Sequence, residues 1–130
     1  MDGRKPMRLT PLEALIMDGV WDLSAATVRE VQERLRPVKP MAYNTVLTML
    51  RILRDKGFLV STRNGRADVY APQVSRRQMA RRSLREVVNR FFGGSPAALV
   101  SALMNDERLS DEDLAAIRRE VDTKRRTPLS

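Results

Sequence analysis

The tightest constraint on how this chain folds is the run from residue 43 to residue 70, an amphipathic helix followed at once by a hairpin. Within residues 43–55, Tyr43, Val46, Leu47, Leu50 and Leu53 keep the i, i+3, i+4, i+7 spacing that sinks one stripe of a helix into a core. Lys56-Gly57 closes the helix, because glycine adopts the left-handed conformation common just past helix ends. Residues 58–63 and 67–71 read as strands, and Asn64-Gly65 between them is the strongest short hairpin signal. The helix face opposite the stripe carries Asn44, Thr45, Thr48, Arg51 and Asp55. Short hydrogen-bonding side chains near a helix N-terminus, with an arginine a turn or two further on, suit insertion into a DNA major groove. The hairpin adds Arg63 and Arg66 on either side of its turn. These features predict a recognition helix and a wing.

The upstream sequence supplies what such a helix packs on. Thr10-Pro11 starts a helix, with Thr as cap and Pro at the first helical position, and Leu12, Leu15, Ile16 and Val20 form its inner face. Trp21 is expected in the core. A second helix turns Val28, Val31 and Leu35 inward and stops at Arg36-Pro37-Val38-Lys39-Pro40, since neither proline continues a helix interior. Three helices and a hairpin in this order make a winged helix-turn-helix. It is expected over residues 9–73, behind a basic arm, residues 1–8, that carries Arg4, Lys5 and Arg8.

Residues 74–126 change character. Leu84, Val87, Val88, Phe91 and Phe92 keep helical spacing, and Gly93-Gly94-Ser95-Pro96 breaks that helix and caps the next. Leu99, Val100, Leu103 and Met104 share a face of the second helix. Ser110-Asp111-Glu112-Asp113 opens a third, with acids placed for the helix dipole and Leu114, Ile117 and Val121 as its apolar positions. Three helices of this size bury little core alone, whereas two interleaved copies bury far more, so this part is expected to be a dimerisation module. The expected fold class is therefore mainly α with a small β wing: an N-terminal winged helix-turn-helix and a C-terminal three-helix dimerisation domain. The dimerisation residues are Leu84, Val87, Val88, Phe91, Phe92, Leu99, Leu103, Leu114, Ile117 and Val121. Residues 75–90 carry six arginines against one acid, Glu86. Two readings of Arg76 to Arg85 stand open: contact with DNA beside the wing, or pairing with Asp106, Glu107, Asp111, Glu112 and Asp113.

Composition narrows the chemistry. The chain of 130 residues has 24 Lys and Arg against 16 Asp and Glu, a net +8, which favours a polyanionic partner. It has no Cys and no His, which excludes disulfides, thiolate or imidazole metal sites and Ser-His or Cys-His catalysis. No paired carboxylate motif or Gly-rich phosphate loop is present, so neither an enzyme nor a cofactor is expected. The longest uncharged stretch, residues 91–105, is 15 residues and contains Gly93, Gly94 and Pro96. A membrane span needs about 20 apolar residues, so no insertion is expected. Residues 1–6 have no apolar segment behind them, unlike a signal peptide. The expectation is a soluble cytoplasmic protein, associated with the nucleoid when bound.

Duplex DNA is the expected partner. Asn44, Thr45 and Thr48 are the candidate base contacts, since Asn pairs bidentately with adenine and Thr methyls meet thymine methyls. Arg51, Arg54, Arg63 and Arg66 are the candidate phosphate contacts. Tyr43 is open between packing inward and placing its hydroxyl on a phosphate. The alternative is a non-specific architectural nucleic-acid-binding protein. It lacks the aromatic platform expected for single strands and leaves the polar helix face without a role.

The order of motifs resembles the penicillinase-repressor family, which includes the β-lactamase and methicillin-resistance repressors and related copper repressors. The resemblance rests on Leu9-Thr10-Pro11-Leu12-Glu13 with Val20-Trp21, on residues 42–53, and on Asp55-Lys56-Gly57-Phe58-Leu59. It continues through Gly65-Arg66-Ala67, Val69-Tyr70-Ala71-Pro72, Asn89-Arg90-Phe91-Phe92-Gly93-Gly94 and Leu109-Ser110-Asp111-Glu112-Asp113, covering residues 7 to 123. It implies a homodimeric repressor that blocks transcription from palindromic operators, with antibiotic-response genes among the targets. It also implies a sensor protease as regulatory partner, triggering cleavage in the dimerisation domain. Counting back from Leu109-Ser110 places that bond at Ala102-Leu103, where the antibiotic-resistance repressors carry Asn-Phe. The cysteine cluster through which the copper repressors bind metal has no counterpart here.

Overall fold

The computed structural model describes residues 8–106 and 108–126. Arg4 and Lys5 of the basic arm and Glu107 of the acidic run lie outside the described residues. The elements run α1 (Pro11–Leu23), α2 (Val28–Leu35), α3 (Tyr43–Asp55), β1 (Leu59–Asn64), β2 (Ala67–Pro72), α4 (Arg76–Phe91), α5 (Pro96–Asp106) and α6 (Asp111–Arg126). The fold is mainly α with a two-stranded antiparallel wing, and it divides into two compact units, one through Arg85 and one from Glu86 onward.

Local chemistry starts each of the first two helices in the same way. Thr10 Oγ1 accepts from the Glu13 backbone N–H at 3.1 Å, while Glu13 Oε1 accepts from the Thr10 N–H at 2.8 Å. Thr27 and Glu30 repeat this reciprocal cap at 3.2 and 2.9 Å. Each box satisfies two of the donors that a helix start leaves orphaned. The core then assembles from Ile16, Met17 and Val20 of α1, Val28, Val31 and Leu35 of α2, and Val46, Leu50 and Leu53 of α3. Gly19 allows α1 and α2 to pack closely: a Cβ there would lie 3.4 Å from a Val31 methyl.

The end of α3 is a Schellman motif. The Gly57 N–H donates to the Arg54 carbonyl at 3.0 Å and the Phe58 N–H to the Leu53 carbonyl at 2.9 Å, with Gly57 at φ 90°. Phe58 is buried just beyond it, which fixes the angle at which the chain enters the wing. In the hairpin Asn64 pairs with Ala67, so the two turn residues are Gly65 and Arg66, one position later than the Asn-Gly signal indicates. Gly65 alone of the two takes a positive φ, 66°, the pattern of a hairpin turn with glycine first. Asn64 instead finishes the strand.

The wing is tied to the helices through Tyr70. Its N–H donates to the Ala26 carbonyl at 2.8 Å and its carbonyl accepts from the Ala26 N–H at 2.9 Å, so the α1–α2 loop acts as a short third strand. The winged-helix core also reaches past residue 73, taking in Val74 and Met79. Trp21 is half-buried as a bracket: its Nε1 donates to the Val74 carbonyl at 2.9 Å, and the Arg76 guanidinium lies 5.3 Å from its ring centroid. Arg76 also reaches Asp22 at 3.0 Å and Asp18 at 3.5 Å. The hydrogen bond from Arg76, then that from Arg34, holds the Asp22 carboxyl below its ordinary value.

In the unit from Glu86 onward, Gly93 and Gly94 take positive φ values of 56° and 79°, and the Gly94 N–H closes onto the Val88 carbonyl at 3.0 Å. Ser110 and Asp113 form a further reciprocal cap at 3.0 and 3.2 Å, and Lys124, Arg125 and Arg126 complement the far end of α6. Val88 is buried within its own chain, at 7% exposure. Leu84, Val87, Phe91, Val100, Leu103, Met104, Leu114, Ile117 and Val121 are all exposed, and neither α5 nor α6 has a buried residue.

Candidate nucleic-acid interface

The residues expected to read DNA share one exposed face of α3. Asn44, Thr45, Thr48 and Arg51 are exposed, while Val46, Leu50 and Leu53 are fully buried behind them. The helix is thus anchored by one face and presents the other. Ala42 caps α3 without a side-chain hydrogen bond. The first-turn N–H groups beside Asn44 and Thr45 therefore keep the partial positive charge that attracts anions.

Tyr43 does not complete the buried stripe. It is 43% exposed, and Leu47 is only half-buried. Both line a cleft of about 430 Å³ together with Arg51, the start of α2 and the wing. From the wing come Arg66, Ala67 and Asp68; from α2 come Thr27, Val28 and Arg29. Tyr43 and Arg51 of α3 meet Arg66 of the wing here, and Arg29 of α2 joins them. Arg29 was missed by the sequence reading, although its place one residue past the first position of a capped helix is visible there. Three arginines and a phenol thus line one cleft with a single carboxylate, Asp68, among them, which gives it the donors to hold an anion.

The other expected phosphate contacts are partly engaged. Arg63 donates to the Gly65 carbonyl at 3.2 Å and sits 3.5 Å from Asp68, which braces the wing tip. Arg54 lies 3.2 Å from Asp55 and is half-buried. These exposed pairs contribute only about 0–1 kcal/mol each, so either arginine can exchange its carboxylate for a phosphate. Arg76 follows neither reading of the arginine-rich stretch, since it is committed to Asp18, Asp22 and Trp21. Among the described residues no cluster of acids fit to hold a metal ion occurs. The Ala102-Leu103 bond lies inside α5, so a protease would reach it only after that helix opens locally.

The family model described as penicillinase repressor matches residues 9–123. The chain belongs to the penicillinase repressor family. Membership makes it a sequence-specific DNA-binding transcriptional repressor, in a family of regulators with no enzymatic activity. The transcriptional regulator BlaI of Mycobacterium tuberculosis is 33% identical over 118 residues, 88% of this chain and 83% of that protein. The penicillinase repressor of Bacillus licheniformis is 26% identical over 111 residues, 85% and 87% of the two chains. Among solved structures, the DNA-binding domain of the repressor BlaI aligns with a TM-score of 0.51 at 28% identity, covering 58% of this chain and 92% of that one. For this penicillinase repressor family member the likeness supports the winged-helix fold of the first unit. No described helix is long and apolar enough to cross a membrane.

Proposed function

We propose that the chain represses transcription as a homodimer on pseudo-palindromic operator DNA, with Asn44, Thr45 and Thr48 meeting base edges. Tyr43, Arg51, Arg54, Arg63, Arg66 and Arg29 meet phosphates in this reading. The observation that carries it is the single exposed polar face of α3, backed by buried Val46, Leu50 and Leu53 and flanked by the cationic cleft. A two-fold dimer places two such helices in successive major grooves, so half-sites are separated by about one helical turn or a multiple of it. Apolar residues from Leu84 to Val121 supply the dimer contact, and the protein works in the cytoplasm, at the nucleoid. The relatives' names point to antibiotic-response genes among its targets, which a genome-wide binding map tests directly.

Asn44→Ala weakens binding to the operator by about 1–3 kcal/mol and relaxes preference at one base step. Fluorescence titration against operator and scrambled duplexes measures this. Equal losses on both would make Asn44 a backbone contact and remove it from the set of base readers.

The wing acts on strength. If the dimer neutralises about 6–8 phosphates, log affinity falls against log salt with a slope of about −5 to −7. Arg66→Ala in both subunits flattens that slope by about 2, one phosphate per subunit, and leaves the ranking of sequences intact. A salt series on specific and scrambled duplexes checks both halves. Altered base preference with an unchanged slope would make Arg66 a groove reader.

A further inference from the structure

The first turns of α4 build a second cationic site that the operator reading leaves unused. A cavity of about 310 Å³ is bounded by Arg81, Arg82 and Arg85, by the amides of Gln73 and Gln78, and by Val74. It lies at the opposite end of the wing from Arg66. Gln73 follows Pro72 at the base of the wing, where Leu59 pairs with Pro72, whereas Arg66 is at the tip. Seven residues of extended chain put these points about 20 Å apart.

Hydrogen bonds hold residues 73–78 in place beneath the arginines. The Gln73 N–H donates to the Phe58 carbonyl at 2.9 Å, and the Val74 carbonyl accepts from Trp21 Nε1 at 2.9 Å. Ser75 and Gln78 cap α4 reciprocally at 3.0 and 2.9 Å. Val74 itself is buried and closes the floor. The three guanidiniums crowd within five residues of one helix, and among the described residues none is paired with a carboxylate. Like charges at such spacing destabilise a helix, a penalty that an anion between them would reverse. The cavity is at the small end of the range for ligand sites and is already formed.

We infer that this cavity binds a small anion carrying at least two negative charges, of the phosphate-ester or polycarboxylate class, held by Arg81, Arg82 and Arg85 over Val74. Two forked guanidiniums can each grip a separate anionic group, which selects multiply charged ligands over monovalent ones. The site provides a chemical input to a chain that has no Cys or His with which to sense metal, thiol state or mild acid.

Calorimetric titration of the full-length protein, at fixed ionic strength near 0.15 M, tests this with pyrophosphate and citrate as probes and acetate as control. At least one of the two probes binds with a submillimolar dissociation constant and acetate does not; which one binds tells phosphate from carboxylate. Arg82→Gln/Arg85→Gln weakens that binding about tenfold or more. Arg119→Gln/Arg126→Gln, which removes the same charge from the polar side of α6, leaves it unchanged. Thermal melting confirms that both variants are folded. Failure of both probes below about 10 mM would overturn the proposal, as would equal losses in the two variants. A raised dimer dissociation constant in Arg82→Gln/Arg85→Gln would reassign the arginines to a second copy of the chain. A lower operator affinity with a flatter salt slope would reassign them to DNA. Either result overturns the site while leaving the operator reading intact.

Discussion

Phe91→Ala should raise the dissociation constant of the dimer by about two orders of magnitude or more without unfolding either unit of the chain. Phe91 is 69% exposed in the single chain, so its own fold loses little when the ring is removed. Leu84 is exposed on the same helix, one of nine large apolar residues from Leu84 to Val121 left uncovered. That much apolar surface is unusual for a protein that remains a monomer, and a second copy offers the same apolar surface in return. Fully burying a phenylalanine contributes about 1.5–3 kcal/mol, and two-fold symmetry counts it twice. A loss of about 3–5 kcal/mol corresponds to roughly 10²- to 10⁴-fold in dissociation constant. Sedimentation velocity across a concentration series measures it, with circular dichroism to confirm that the helices persist. Val88→Asp, attractive from sequence alone, is the wrong probe: Val88 is buried in its own chain, so a charge there breaks the monomer and the dimer together. An unchanged dimer in Phe91→Ala, with intact helices, would move the interface elsewhere.

What the sequence made legible is what repeats locally. The boxes Thr10-Glu13 and Thr27-Glu30, the stripe Val46-Leu50-Leu53 and the glycine that ends α3 each depend on residues within a few positions of one another, and periodicity exposes them. Tyr43 shows the limit of that logic. Its spacing puts it on the apolar stripe, but it lies in the first turn, beyond the reach of the packing partners that bury Val46 and Leu50. The hairpin was visible, whereas its turn lay one residue later, because one positive φ suffices for a turn that begins with glycine. Contacts between distant residues leave no periodic trace. Trp21 to Val74 spans 53 positions, Arg76 to Asp22 spans 54, and Glu13 to Lys56 spans 43. Nothing in a single chain's pattern couples these residues, so Arg76 and Lys56 look like surface cations available to DNA when each is already committed to a carboxylate.

The pair formed by Glu13 and Lys56 gives the largest expected effect on stability. Glu13 is 3% exposed, and it uses one oxygen on the Thr10 N–H and the other on Lys56 Nζ, at 2.8 and 2.6 Å. It pins the start of α1 to the residue that ends α3, and so helps set the recognition helix on the core. Burial by itself would push the Glu13 carboxyl up; the hydrogen bonds from Lys56 and Thr10 and the ammonium charge outweigh it and hold the carboxyl below its ordinary value. Lys56→Met keeps most of the aliphatic stem and removes the charge, leaving a carboxylate in the core with half its partners. Breaking a fully buried pair costs about 3–5 kcal/mol; because the Lys56 side chain is 42% exposed and water screens its end, about 2–3 kcal/mol is expected at pH 7. The pH dependence identifies the cause. With Lys56 present the folded pKa of Glu13 is depressed, so its stabilisation is complete above the ordinary glutamate value and is lost as pH falls through the folded one. Without Lys56 the burial that pushes the carboxyl up is opposed by Thr10 alone, so the folded pKa lies above that of the wild type and the charged form supports folding less at neutral pH. The stability gap between wild type and Lys56→Met is therefore widest near pH 7 and closes only as pH falls past about 4.3 and on through the lower folded value of the wild type, below which the carboxyl is protonated in both. Adding Glu13→Gln to Lys56→Met recovers much of the loss, because the amide oxygen can still accept from Thr10 and no charge is left behind. Urea unfolding of the four proteins between pH 3.5 and 7 checks each step. A gap that stays constant over that range would mean that lost packing of the lysine stem, and not the stranded carboxylate, weakens the fold.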